Sequence, residues 1–409
     1  MITRRNLILA AGAASIETVT APHASAAPAT VGLPAKAEFT VGKSETCLNN
    51  ARWHPIGVGA SKAVQRYLEY KATGGGSAPD YGSDLQSRAK TLFANLIHAK
   101  VSELSFVPST TVGENLIASA LDLPRSGGNV VTDAFHFEGS LYQYGELAKK
   151  GLEVRIARPR EWRIELGDLD KLIDRKTKLV ALSLVSMING FQHDVKAICD
   201  LAHSRGALVY VDAVQAVGAV PLDVRATGVD FLACSSYKWL MGDMGLGFLY
   251  VREDLLDRLQ RSQYGFRQLS AVQYHVFPHD PPGESVMDWS QSSGAGGHFE
   301  VGTVSNTTLA CLTHSLDYIQ RIAVAKIQSH RQPLLSRLQK EMPRLGFEPM
   351  TPLDSASPIV AFAKKDMTGV SERLRRAAID IAVYEHRVRI SPSVYNDQGD
   401  IDKLLEALS

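Results

Sequence analysis

An aspartate and a lysine set the chemistry open to this chain. The run Val209-Tyr210-Val211-Asp212-Ala213-Val214-Gln215 is apolar and β-rich up to its aspartate, so the carboxylate falls at the C-terminal edge of a buried strand. Open α/β sheets bind ligands at that edge. A second short apolar strand, residues 231–234, leads to Lys238, flanked by Tyr237, Trp239, Leu240 and Met241, with Gly242, Gly245 and Gly247 opening the backbone beside it. Bulky neighbours strip water from an ammonium, lower its pKa and favour the free amine that attacks an aldehyde. A carboxylate that keeps a pyridine nitrogen protonated and a lysine that forms a Schiff base are the two protein groups that pyridoxal phosphate chemistry needs.

The segments V-D-A-V-Q-A-V-G (211–218) and S-S-Y-K-W-L-x-G-x-x-G-x-G-F (235–248) resemble the class V aminotransferase family of fold type I pyridoxal phosphate enzymes, which includes cysteine desulfurases and isopenicillin N epimerase-like proteins. The likeness runs from L-N-N-A at 48–51 to R-I-S-P-S-V-Y-N at 389–396. It implies an α/β fold: a large domain with a mainly parallel sheet flanked by helices, and a smaller α+β C-terminal domain. It also implies roles for particular residues. Lys238 carries pyridoxal 5'-phosphate and moves protons. His136, three residues past Asp133, stacks on the pyridine ring and can shuttle a proton. Asn189 and Gln215 lie by the phenolic oxygen. Thr110, Thr111, Ser235 and Tyr237 receive the phosphate, and Thr303 of F-E-V-G-T (299–303) reaches the cofactor of a second subunit. Asn50 and Arg389 bind the substrate, Arg389 by clamping its α-carboxylate. Arg387, two residues away on the same strand face, is the competing candidate for that clamp.

The elements that must position these groups follow from local pattern. Residues 104–107 form a strand, Pro108-Ser109-Thr110-Thr111 a turn and residues 112–121 a helix, so free N–H groups and hydroxyls gather at a helix N-terminus suited to an anion. The apolar run 178–186 suits a strand buried on both faces. Helix 195–205 followed by strand 207–211 is a right-handed β-α-β step. Helices are also expected at 61–70 and 84–98, with a glycine-rich loop at 72–83. Residues 261–297, rich in proline and glycine, read as a substrate-side loop or lid.

The 409 residues suffice for one large and one small domain, and the expected division is 1–26, 27–50, 51–312 and 313–409. The first is a twin-arginine signal: Arg4-Arg5, a short apolar run and the small-residue site Ala24-Ser25-Ala26. It points to a periplasmic or otherwise exported enzyme, without a stable membrane anchor because spanning takes about 20 apolar residues. Residues 27–50 read as an N-terminal arm, extended to about Lys43. A net charge of +1 gives no reason to expect nucleic acid as a partner. The four cysteines are scattered, with neither zinc-site nor disulfide spacing, and no metal is expected.

The expected partners are an amino acid or peptide-derived substrate and a second copy of the chain. The expected reaction is transamination, epimerisation or cleavage at Cα or Cβ. Cysteine desulfurase chemistry is the alternative, disfavoured because no cysteine lies beyond residue 312. A non-catalytic exported binding protein on the same fold is a rival of another class. A nicotinamide-binding enzyme is not supported, since no G-x-G-x-x-G follows a first strand.

Overall fold

The computed structural model describes residues 32–74 and 81–409; the twin-arginine segment and its cleavage site lie outside them. A seven-stranded sheet runs in the order Leu104–Val107, Gly247–Val251, Phe231–Ser235, Leu208–Asp212, Thr177–Ser183, Asn129–Asp133, Glu153–Ala157. The last five are mutually parallel, and Gly247–Val251 is antiparallel to both of its neighbours. The four inner parallel strands are buried on both faces, which accounts for their mainly apolar runs, while the edge strand Glu153–Ala157 is partly exposed. Side chains alternate between two cores: Val209 and Val211 pack with Ile198 and Cys199 of helix Val195–Ser204, whereas Tyr210 packs with Leu116 and Ile117 of helix Thr110–Ala120.

A four-stranded antiparallel sheet follows, in the order Glu348–Pro349, Val360–Ala363, Arg387–Ile390, Ala382–Val383. Leucines 334, 335 and 338 of helix Val324–Glu341 and leucines 404 and 408 of helix Gln398–Leu408 cover it. The fold is the mainly parallel, helix-flanked architecture expected of fold type I enzymes.

Two segments differ from the sequence expectation. The N-terminal arm, expected to be extended to about Lys43, contains two 3-10 turns, Lys36–Glu38 and Thr40–Lys43, and beyond them Thr46–Cys47 pairs in parallel with Ile379–Asp380. Leu48 donates to Asp380 O at 2.8 Å and Ser391 donates to Leu48 O at 2.7 Å. The backbone there is held as a strand by residues far along the chain, which no local pattern announces. Residues 261–297 contain an antiparallel hairpin, Leu269–Tyr274 with Met287–Gln291, and a short helix, Gly294–Phe299. Pro278, Pro281, Pro282 and Gly283 sit in the connection between the two strands, and Gly294, Gly296 and Gly297 fall in the helix, so the strands themselves carry neither residue type.

Candidate active site

Lys238 sits in a turn that begins where strand Phe231–Ser235 ends. Gly218 permits this turn: it has φ +88°, and a Cβ on it would meet Trp239 O at 2.5 Å. The Trp239 indole donates to Gln215 Oε1 at 2.9 Å, which holds the residue after Lys238 against the segment after Asp212. Lys238 is 8% exposed, and its amine lies 5.6 Å from the Tyr237 ring centroid. Burial pulls its pKa down to about 8, helped by Arg389 and opposed by Asp212.

Asp212 is buried at its strand end and accepts the Val214 N–H through Oδ1 at 2.9 Å. Among the described residues Oδ2 has no hydrogen bond. Burial pushes this carboxyl up, against the pull of His136 and Lys238. A buried carboxylate with one unpartnered oxygen lacks a cationic donor, which is what a protonated pyridine nitrogen is.

The N-terminus of helix Thr110–Ala120 is joined to the lysine loop. Thr110 N–H donates to Ser235 Oγ at 2.8 Å, the two hydroxyls are 2.9 Å apart, and Ser235 N–H donates to Thr110 Oγ1 at 3.1 Å. Ser109 caps the helix by accepting the Val112 N–H. Among the described residues the Thr111 N–H has no acceptor, and with the helix dipole it offers an anion site. These residues and Lys238 fit a phosphorylated pyridine aldehyde.

A cavity of about 930 Å³ opens beside Lys238, lined among others by Asn49, Arg52, Phe137, Met187, Tyr237 and Arg389. Arg389 is 4% exposed, and its Nη1 donates to Met187 O at 2.9 Å. Its Nε is buried without an acceptor, and no carboxylate among the described residues pairs with it. That is an arginine awaiting an anion. Arg387, whose Nε is also without a partner, is half-buried and packs its guanidinium 4.0 Å from the ring centroid of Tyr384, a lining residue, but does not itself line the cavity. Of the two arginines that the sequence left in competition, Arg389 is the one in the cavity wall.

Other expected positions shift. Asn50 is fully buried, with its amide donating to Ser391 O and accepting from the Tyr395 hydroxyl; the residue that lines the cavity is Asn49. Asn189 faces away too. Its amide donates to Trp162 O and Met350 O and accepts the Phe191 N–H, so it closes a buried turn, while Met187 lines the cavity. In both cases the expected residue has its amide committed to backbone partners in the interior, and a neighbour one or two positions away lines the cavity instead.

Gln215 spends its oxygen on Trp239 and one amide hydrogen on Ala51 O, leaving the other. His136 is 1% exposed, with Nδ1 2.9 Å from Ser183 Oγ and Nε2 3.0 Å from Glu114 Oε1; it does not line the cavity, whereas its neighbour Phe137 does, together with Tyr237 and Tyr384. Glu114 carried no sequence signal, since a charged residue within a helix ordinarily reads as solvent-facing. Thr303 is exposed and lies in a separate groove with Pro108 and Val112.

Residues 60–404 match the family described as Aminotransferase class-V. The chain is 29% identical over 302 residues to a probable cysteine desulfurase of Methanothermobacter thermautotrophicus, covering 71% of this chain and 70% of that protein. It is 25% identical over 370 residues to the uncharacterized aminotransferase YcbU of Bacillus subtilis, covering 89% and 92%. The apo structure of cysteine desulfurase from Thermococcus onnurineus superimposes with a TM-score of 0.79 at 23% identity, over 91% of this chain and 96% of that one, which shows the fold. The chain belongs to the class-V aminotransferase family and is a pyridoxal-phosphate-dependent enzyme acting on amino acids.

Proposed function

We propose that the enzyme transforms an amino acid carried on a larger, peptide-derived molecule, by proton transfer at Lys238 rather than by a protein thiol. The observation that carries this reading is the cavity of about 930 Å³ lined by Lys238 and Arg389, which extends to Ser44, Ser371 and Arg375, beyond the groups that would hold the cofactor, and so leaves room for more than a free amino acid. Bound pyridoxal phosphate supplies an electrophilic aldehyde and an electron-withdrawing ring that eases bond breaking at the substrate's Cα. Asp212 would hold a proton on the ring nitrogen, the Thr111 amide and nearby hydroxyls would hold the phosphate, and Arg389 would hold the substrate carboxylate. Lys238, as a free amine, would move the Cα proton. No cysteine lines the cavity, and burial pushes the thiols of Cys47, Cys199, Cys234 and Cys311 up.

A second reading, C–S bond cleavage, rests on the names of the sequence relatives. In that case the sulfur leaves without passing to a protein thiol in this cavity. Incubation with free amino acids, cystine and short peptides, read by mass spectrometry, separates the two. A mass change confined to free cysteine or cystine overturns the proposal.

The unit we propose is a homodimer in which Thr303 reaches the partner's cofactor. It is supported by the exposed position of Thr303 and by the apolar side chains Val272, Tyr274, Phe277 and Trp289 that the hairpin presents to solvent. Sedimentation of a purely monomeric, fully active enzyme refutes it. Export through the twin-arginine route is supported by Arg4-Arg5 and Ala24-Ser25-Ala26; a protein that reaches the periplasm equally well with both arginines replaced by lysine refutes it.

A further inference from the structure

Behind the site lies a buried cluster that the proposed chemistry does not use. Glu114, in the middle of helix Thr110–Ala120, is 1% exposed. Its carboxylate meets three donors: His136 Nε2 at 3.0 Å, the Ser140 hydroxyl at 2.5 Å and the Tyr144 hydroxyl at 2.8 Å. Ser140 and Tyr144 come from helix Glu138–Ala148 and are also buried. A carboxylate taken this far out of water and given only donors is ionised, and an ionised carboxylate there requires a cation in contact. His136 is the one basic group among the described residues that touches it. The other ring nitrogen of His136 sits against Ser183 Oγ, which can accept.

We propose that Glu114 is a positioning residue that keeps His136 an imidazolium with both N–H bonds committed, making His136 a fixed positive charge beside Asp212. Proton movement then belongs to Lys238 alone. The groups around His136 agree with this assignment. Burial works against the His136 proton, while Glu114, and then Asp212 and Asp133 from the two strands that flank Thr177–Ser183, hold it in place. Asp133 is itself balanced by His193 at 3.0 Å, so it does not compete for His136 as a partner. Across the site, His136 in turn draws the Asp212 carboxyl toward its charged form. The device is therefore a relay of charge: Glu114 fixes His136, and His136 helps Asp212 stay an anion for the ring nitrogen.

The inference rests on the reading that the cofactor lies between Asp212 and Lys238, so its first test uses protein stripped of cofactor. With histidine labelled by ¹⁵N, the His136 ring is expected to give the spectrum of a doubly protonated imidazole at a pH above an ordinary histidine's midpoint of about 6.5. A neutral ring at that pH overturns the proposal, whether or not the holoenzyme is active. In the holoenzyme, Glu114→Gln is expected to lower kcat with KM little changed and to introduce a new ionisation near neutral pH, with Glu114→Asp restoring the parent profile. Loss of activity with an unaltered pH profile assigns Glu114 a structural role only and sinks the idea. Should Glu114→Gln fail to fold, the spectrum of the unmodified protein still decides.

Discussion

Thr110 and Ser235 are bound to each other through both backbone and hydroxyl groups, although one opens a helix after the first strand of the large sheet and the other closes a strand near its end. The helix terminus that we propose takes the phosphate and the loop that carries Lys238 are thus one mechanical unit. Replacing Ser235 by alanine removes two neutral hydrogen bonds in a buried place, each worth roughly 1 kcal/mol. The expected result is a cofactor dissociation constant raised about 10-fold or more with the fold intact, measured by titrating cofactor-free protein. Unchanged affinity would separate the two elements.

Lys238→Ala is expected to abolish turnover and the visible absorbance of lysine-bound cofactor. Borohydride treatment of the parent protein, followed by peptide mapping, should place the adduct on Lys238, and a variant that remains yellow with a covalent adduct elsewhere would refute the assignment.

The free amine of Lys238 is the reactive form, and burial brings its pKa to about 8. The fraction of free amine rises as pH rises through that value, so the rate at which cofactor-free enzyme captures pyridoxal phosphate should climb between about pH 7 and 9 and then level off. Arg389 contributes to this depression, and the Arg389→Met variant should move the rise to higher pH. Stopped-flow absorbance measures both.

Arg389 should dominate carboxylate recognition. Charge-assisted hydrogen bonds are worth roughly 1.5–3 kcal/mol, so Arg389→Ala is expected to raise KM about 10- to 100-fold, with Arg387→Ala near parent. The reverse ranking in steady-state kinetics would move the clamp to Arg387.

Gly218→Ala should destabilise the protein by about 1–3 kcal/mol, because an L-residue is strained at φ +88° and its Cβ would press on Trp239 O. The urea midpoint reads the cost, and cofactor absorbance reads the accompanying displacement of the Lys238 turn.

Lys238 and Asp212 were legible in the chain because each ends a short apolar run, and strand ends in a parallel sheet share one edge of the molecule. The helix N-terminus at Thr110 and Thr111 was legible for the same reason: its hydroxyls directly follow a strand. Glu114 was invisible. Its burial depends on His136, Ser140 and Tyr144 arriving from another helix and turn, and nothing local distinguishes it from a surface glutamate.

The sequence by itself determined the chemistry, the parallel sheet and the edge where the site lies, since these follow from residue type and short-range periodicity. Tertiary structure alone placed Asn49 rather than Asn50, Met187 rather than Asn189, and Arg389 rather than Arg387 in the cavity lining. The physical reason is that residues one or two positions apart pack against different partners, and local pattern does not show which side chain is left facing open space. Which of them enters the cavity is set by pairing between segments as distant as Leu48 and Ser391, and that pairing exists only once the chain has closed on itself.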